Sequence, residues 1–419
     1  CMRFSSIGER FSRPSGILRL MDDLGAAFAG DRRIIMLGGG NPSHIPAVQK
    51  LLRSRMERIL ATPGAFERMI GDYDGPRGNT AFISSLASML RSACGWKITE
   101  RNIALTGGSQ NAFLFLFNMF AGHARRGRRR RILLPLAPEY IGYADVGLNH
   151  DIFTAHRPEI DCFGDRTFKY RIAFDSLRVG DDAGALCVSR PTNPTGNVVT
   201  DDEVRRLARI ARDRGIPLII DNAYGLPFPG IIFTGATPYY DDNTIVCMSL
   251  SKFGLPTART GIVVASEKII GVLSNMNAVG GLAPGGIGPA LAHDLVRSGD
   301  ILRISREIIR PYYQRKALHT LACFNEALDG LDYRIHKPEG ALFLWLWFKG
   351  LPITNAELYE RLKRRGVLVV PGHYFFPGVR GAWRHKHECI RISYSPDDAI
   401  VEKGARIIAQ EAKKAYAHK

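Results

Sequence analysis

The stretch Ser249-Leu250-Ser251-Lys252-Phe253-Gly254-Leu255-Pro256-Thr257-Ala258-Arg259-Thr260-Gly261 sets a lysine just past an apolar run, with hydroxyls before it and an arginine after it. A lysine that is to attack a carbonyl must be partly desolvated, so that its amine is neutral often enough. A phosphate-bearing aldehyde beside it needs hydroxyl and guanidinium partners. The segment suits a Schiff-base lysine, although a solvated loop lysine would fit it equally well taken alone.

Four more apolar runs end in polar residues of specific type. After 103–105 comes Thr106-Gly107-Gly108-Ser109-Gln110, small residues entering a helix whose free N–H groups and dipole favour a phosphate. After 132–136 comes Ala137-Pro138-Glu139-Tyr140-Ile141-Gly142-Tyr143, which sets Tyr140 where it can stack on a flat ring. After 185–189 comes Arg190-Pro191-Thr192-Asn193-Pro194-Thr195-Gly196-Asn197, a proline-bracketed turn that fixes the Asn193 amide. After 217–220 comes Asp221-Asn222-Ala223-Tyr224-Gly225, where a carboxylate at the end of an apolar strand calls for a cation such as a protonated pyridine nitrogen. A plain turn, a core tyrosine or a capping aspartate explains each one singly. Five of them at successive strand ends are not explained that way.

These runs, at 103–106, 132–136, 185–189, 217–220, 245–249 and 261–265, alternate with helical patterns, among them 109–123 and 201–214. Thr200 with Glu203 three residues on forms a capping box for the latter. The alternation predicts an α/β fold with a mostly parallel central sheet flanked by helices. A break at Ala283-Pro284-Gly285-Gly286-Ile287-Gly288-Pro289 precedes a long helical run over 290–330 and a further α/β segment. The expected division is an N-terminal segment over 1–48 that packs with the smaller domain, a large domain over 49–295 and a small α/β domain over 296–419. The apolar stretch 342–347 reads as a core strand.

The net charge is +17, from 57 basic and 40 acidic residues, which brings nucleic acid or anionic ligands into question. Its sharpest cluster, Arg125, Arg126, Arg128, Arg129, Arg130 and Arg131, lacks aromatic interleaving and reads as a solvated connection, so no nucleic-acid partner is expected. Seven cysteines without a C-x-x-C pair imply reduced thiols, with no disulfide or zinc framework. The first residues carry no signal-peptide pattern and no apolar run is long enough to span a bilayer; a cytoplasmic enzyme is expected.

Together, Asn193-Pro194-Thr195-Gly196, Asp221-x-Ala223-Tyr224 and Ser249-x-Ser251-Lys252 with Arg259 resemble the fold type I pyridoxal-phosphate aminotransferases. The segments 36–42, Tyr73-Asp74-Gly75-Pro76, 136–143 and His336-Lys337-Pro338-Glu339-Gly340-Ala341 extend the likeness to bacterial members that exchange amino groups between valine and pyruvate. The resemblance implies pyridoxal 5'-phosphate as cofactor, an apolar amino acid and a 2-oxo acid as substrates, and a homodimer. It implies catalytic roles for Lys252, Asp221 and Tyr140, with Lys252 bonding the cofactor and carrying the substrate proton. Asn193 and Tyr224 would hold the ring oxygen; Gly108, Ser109, Gln110, Ser249 and Arg259 would hold the phosphate, and Tyr73 would reach the neighbouring subunit's phosphate. Gly40, Asn193 and Arg391 would receive the substrate, with Arg391 on its carboxylate. Thr257 departs from the family's usual glycine, so the Arg259 loop is expected to differ in shape. Another reaction on the same cofactor, or a non-enzymatic regulator, is the alternative.

Overall fold

The computed structural model describes residues 3–12, 34–124 and 127–417. Much of the expected N-terminal segment, together with Arg125 and Arg126, lies outside them. The order in space of the large sheet is Ile103–Thr106, Gly261–Val264, Thr244–Ser249, Leu218–Asp221, Ala183–Ser189 and Arg129–Leu134, with Gly122–His123 and Phe153–Ala155 at the far edge. From Thr244–Ser249 to Arg129–Leu134 the neighbours are parallel, and Gly261–Val264 runs antiparallel to both of its neighbours. Side chains alternate between faces, so Val246 and Met248 join one apolar core while Ile245 and Cys247 join another. Helices cover both faces. Thr80–Cys94 and Ile287–Ser298 pack on the first; Ser109–Phe120 and Glu267–Gly281 pack on the second. Burial on both sides explains why these strands read as continuous apolar runs.

Register decides what the sheet can present at its edge. Ser249 lies opposite Gly261, which lies opposite Thr106; Asp221 lies opposite Cys247 on one side and Ser189 on the other. Parallel strands end on the same edge, so the residues following them collect there. Helix Asp201–Asp213 starts at the expected box: Thr200 Oγ1 accepts from Glu203 N at 3.2 Å, and Glu203 Oε2 accepts from Thr200 N at 2.8 Å.

A second sheet runs Val370–Pro371, Cys389–Ser393, Phe343–Phe348, Tyr333–His336, Thr167–Arg171 and Glu159–Phe163. Its last two strands come from the middle of the chain and cross over to pair with the C-terminal part. Ile35–Met36 pairs in parallel with Val367–Leu368, tying the early segment to the same region. The 342–347 stretch forms a central strand of this sheet, almost wholly buried.

Three local expectations need correction. The run over 290–330 is not one helix: Gly299, at φ 76°, ends Ile287–Ser298, and Asp300–Ile304, a π turn and Arg310–Ala327 follow. The helix from Ser109 stops at Phe120, because Gly122 and His123 pair with Arg130 and Arg129. The basic cluster is also not all connection, since Arg129–Leu134 is a strand and Arg131 bridges Asp182 at 2.6 Å and Asp151 at 2.9 Å. Cys94, Cys162, Cys187, Cys247, Cys323 and Cys389 are free thiols. No helix among the described residues is long and apolar enough to cross a membrane.

Gly261 is where strand and site meet. A Cβ there would lie 2.4 Å from Thr106 Oγ1 and 2.5 Å from the Gly108 carbonyl carbon, distances that no real Cβ keeps. Gly261→Ala is expected to cost about 1–3 kcal/mol of stability, the usual range for overpacking. A urea unfolding midpoint equal to that of the parent chain would refute this.

Candidate active site

The strand ends surround a cavity of about 1050 Å³. Its lining includes Gly40, Ser109, Gln110, Tyr140, Asn193, Asp221, Tyr224, Ser249, Lys252, Arg259 and Arg391. Of the residues singled out in the sequence, Gly108 lies just behind Arg259, and Tyr73 lies outside the cavity with 86% of its surface exposed.

Asp221 closes the buried end. Its Oδ2 accepts from Tyr143 Oη at 2.7 Å and its Oδ1 from Ala223 N at 3.1 Å, yet burial pushes its carboxyl up to about 6. Tyr143 is also 3.2 Å from Ser189 Oγ, and Ser189 donates its N–H at 2.8 Å to Glu139 Oε1 while its hydroxyl bonds Oε2. A polar chain from Glu139 through Ser189 and Tyr143 therefore ends on Asp221.

Lys252 sits in the turn Ser251–Phe253, directly after Thr244–Ser249, and donates to Gly40 O at 2.6 Å. Burial, and then the charges of Arg391 and Arg259, push its ammonium down to about 8 from 10.5, while Asp221 acts in the other direction. At pH 7 about a tenth of such amines are neutral, against well under a thousandth of ordinary lysines. Its Nζ is 5.4 Å from the centre of the Tyr224 ring. Arg259 reaches the start of helix Ser109–Phe120, where a Cβ on Gly108 would fall 2.2 Å from its Nη2; Gly108 holds φ 93°. The left-handed residue of this loop is Arg259 itself, at φ 45°, and Thr257 does not carry positive φ. A non-glycine residue in that region costs roughly 1–2 kcal/mol. The helix start at Ser109, Ser249 and Arg259 all line the cavity, a donor set of the kind that cradles an anion. Gln110 braces it sideways, because its Nε2 donates to Gly142 O at 2.9 Å behind the Tyr140 ring.

Arg391, on Cys389–Ser393, is 3% exposed. Nη1 donates to Asn193 Oδ1 at 2.8 Å and Nη2 to Gly38 O at 2.6 Å, while Nε has no partner. Its guanidinium lies 4.2 Å from the Phe343 ring centre. Burial pushes it down to about 10, and no described carboxylate forms an ion pair with it. A buried cation held only by neutral acceptors is costly, and a carboxylate ligand would relieve that cost. Asn193 spends its oxygen on Arg391 and keeps its amide as a donor to the cavity.

Sequence reasoning missed Glu139, Ser189 and Tyr143 as a unit, although two of them stood in a quoted segment. A glutamate in an apolar strand end was the available signal. Burial pushes the Glu139 carboxyl up to about 8 from 4.5, against the hydrogen bonds from Ser189. The folded chain therefore holds a proton that the unfolded chain releases, and stability falls as pH rises from about 4.5 to 8. In the cofactor-free protein, Glu139→Gln should flatten that fall; equal slopes of urea midpoint against pH in the two proteins would refute it.

Residues 158–408 match the family Aminotransferase class I and II. The chain is 50% identical over 416 residues to valine–pyruvate aminotransferase of Escherichia coli K12, covering 99% of each. Among solved structures it is similar to a putative amino-acid aminotransferase from Psychrobacter arcticum 273-4, with a TM-score of 0.97 and 46% identity over the whole of both chains. It is also similar to valine-pyruvate aminotransferase from Salmonella typhimurium LT2, with a TM-score of 0.89 and 49% identity, covering 96% of this chain and 100% of that one. A strand-end lysine, an anion cradle and a buried acid thus occur on a fold shared along the whole length with such enzymes, and the chain belongs to the pyridoxal-phosphate-dependent class I and II aminotransferases.

Proposed function

We propose that the protein moves the amino group of an apolar amino acid, of the valine or alanine type, to pyruvate or another 2-oxo acid. The observation that carries this reading is Arg391, a buried guanidinium without a carboxylate partner that faces the same cavity as Lys252. An amino acid and its oxo acid share the one group this site lacks. The identity to the E. coli valine–pyruvate enzyme supports the choice of substrate class, as does the lining contributed by Met36, Pro42, Ile141, Tyr312 and Ile400.

When bound, pyridoxal phosphate supplies an aldehyde for the amino group and a ring that accepts electrons from the substrate α-carbon. In this reading the cradle of Gly108, Ser109, Ser249 and Arg259 holds the phosphate, with Gln110 bracing it. Asp221 faces the ring nitrogen, whose positive charge would return the carboxyl to its ionised form. Tyr140 would cover the ring face, and the Asn193 amide and the Tyr224 hydroxyl would donate to the ring oxygen. Lys252, half-buried and readily neutral, would hold the cofactor's aldehyde carbon and would carry the proton at the substrate α-carbon. Gly40 leaves open space where a side chain would intrude, since a Cβ there meets no atom within 4 Å.

The reading includes a homodimer. Ile70, Tyr73, Leu282 and Ile287 are exposed on adjoining segments, Gly286 packing against the Met69 carbonyl, and such a face suits a second copy that receives Tyr73 at its phosphate. It also includes a cytoplasmic location and the division at residues 48 and 295.

Mixing the loaded enzyme with L-valine or L-alanine alone should convert the cofactor's absorption to that of its amine form, and pyruvate should reverse it. An unchanged spectrum would sink the proposal. Arg391→Gln should lower kcat/KM for amino acid and oxo acid alike by roughly 10²- to 10³-fold, the scale of truncating a buried charge pair, mostly through KM. The variant should still take up the cofactor, its spectrum before substrate addition differing from the parent's only in the pH at which it titrates; an unaltered KM would count against the carboxylate role.

A further inference from the structure

Away from the cavity, helices Arg310–Ala327 and Asp398–Ala417 run side by side and in step. Lys316 bonds Asp398 at 2.6 Å and Pro396 O at 2.7 Å, and one turn further His319 Nε2 meets Glu402 Oε1 at 3.1 Å. The next residue on this stripe is Cys323, with its Sγ 3.6 Å from His319 Nε2. Ligand atoms of His319, Cys323 and Glu402 all lie within 4.8 Å of one another. Nothing in the transamination reading uses them.

Their spacing is that of a coordination face. Zinc bonds of about 2.0–2.1 Å to nitrogen and oxygen and 2.3 Å to sulfur, at tetrahedral angles, put nitrogen about 3.6 Å from sulfur and about 3.4 Å from oxygen. Two of the three edges are already close to these lengths, and the third is no longer than 4.8 Å. His and Cys four apart on one helix point to the same side, and Glu402 comes from the facing helix. Glu326 and Asp398 add negative charge near the thiol, while the buried Lys316, two turns back on the same helix, is taken up by Asp398. His319 and Glu402 keep 36% and 39% of their side-chain surface exposed, so an ion can enter.

We propose that His319, Cys323 and Glu402 bind a thiophilic divalent cation, zinc by the chemistry of the donors, with water completing the tetrahedron. A carboxylate, an imidazole and a thiolate together favour zinc over magnesium or calcium, which take oxygen. The ion would clamp two helices whose first turns supply Tyr312 and Ile400 to the cavity. Binding displaces the thiol proton into solvent as the metal–sulfur bond forms.

Cobalt(II), added to the reduced, cofactor-loaded enzyme, should give a thiolate-to-metal charge-transfer band that saturates at one equivalent and is displaced by zinc. Cys323→Ser should abolish the band, Glu402→Gln should weaken binding by roughly tenfold or more, and Cys162→Ser should leave it intact. Zinc should raise the unfolding midpoint of the parent protein but not of Cys323→Ser. The metal-free midpoint of that variant separates lost binding from lost folding. Absence of the band, or its persistence in Cys323→Ser, would overturn the proposal and leave an ordinary ion pair beside a thiol.

Discussion

The Arg391 guanidinium is the group on which the other parts converge. It stands on a strand of the C-terminal sheet, donates to Gly38 from the early segment, and donates to Asn193 from a loop of the large sheet. Three regions distant in sequence are thus held to one buried cation. Phenylalanine rings flank it and exclude water, which strengthens its pull on anything negative that enters. The same charge reaches Lys252 and helps keep its amine deprotonatable. A residue suited to holding a carboxylate therefore also tunes Lys252.

Charge in the cavity is layered. Arg259, Lys252 and Arg391 line it, while Asp221, Tyr143, Ser189 and Glu139 lie in the buried polar chain at one end. Burial raises the proton affinity of both acids, and for Glu139 the Asp221 charge adds to it. Glu139 is largely protonated near neutrality, so the single negative charge of this polar chain is that of Asp221. The hydroxyls of Ser189 and Tyr143 let that charge settle on the end facing the cavity.

The strand-end residues were legible because a parallel sheet delivers the end of every strand to one edge, and type plus position then suffices. Lys252, Asp221, Asn193 and Ser109 could be gathered without knowing strand order. Glu139, Ser189 and Tyr143 could not, because their bonds depend on which strands are neighbours and in what register. The crossing of Glu159–Phe163 and Thr167–Arg171 to the other sheet was hidden for the same reason: β patterning gives a strand but not its partner. Gly299 was visible as a residue, yet only its left-handed backbone shows that it ends a helix. Thr257 marked the loop that is conformationally unusual, but the positive φ falls two residues on, at Arg259.

That crossing has a consequence for how the chain is made. The second sheet combines strands from the neighbourhood of residues 159–171 with others from 333–393, so its pairings span long stretches of sequence. On the ribosome the early hairpin emerges well before the strands it must join and waits with an unpaired edge. The strand that bears Arg391 comes last of these. Lys252, Asp221 and the other strand-end residues of the large sheet can be in place while the cavity still lacks the wall that bears Arg391, so the buried cation is the last of these groups to join it.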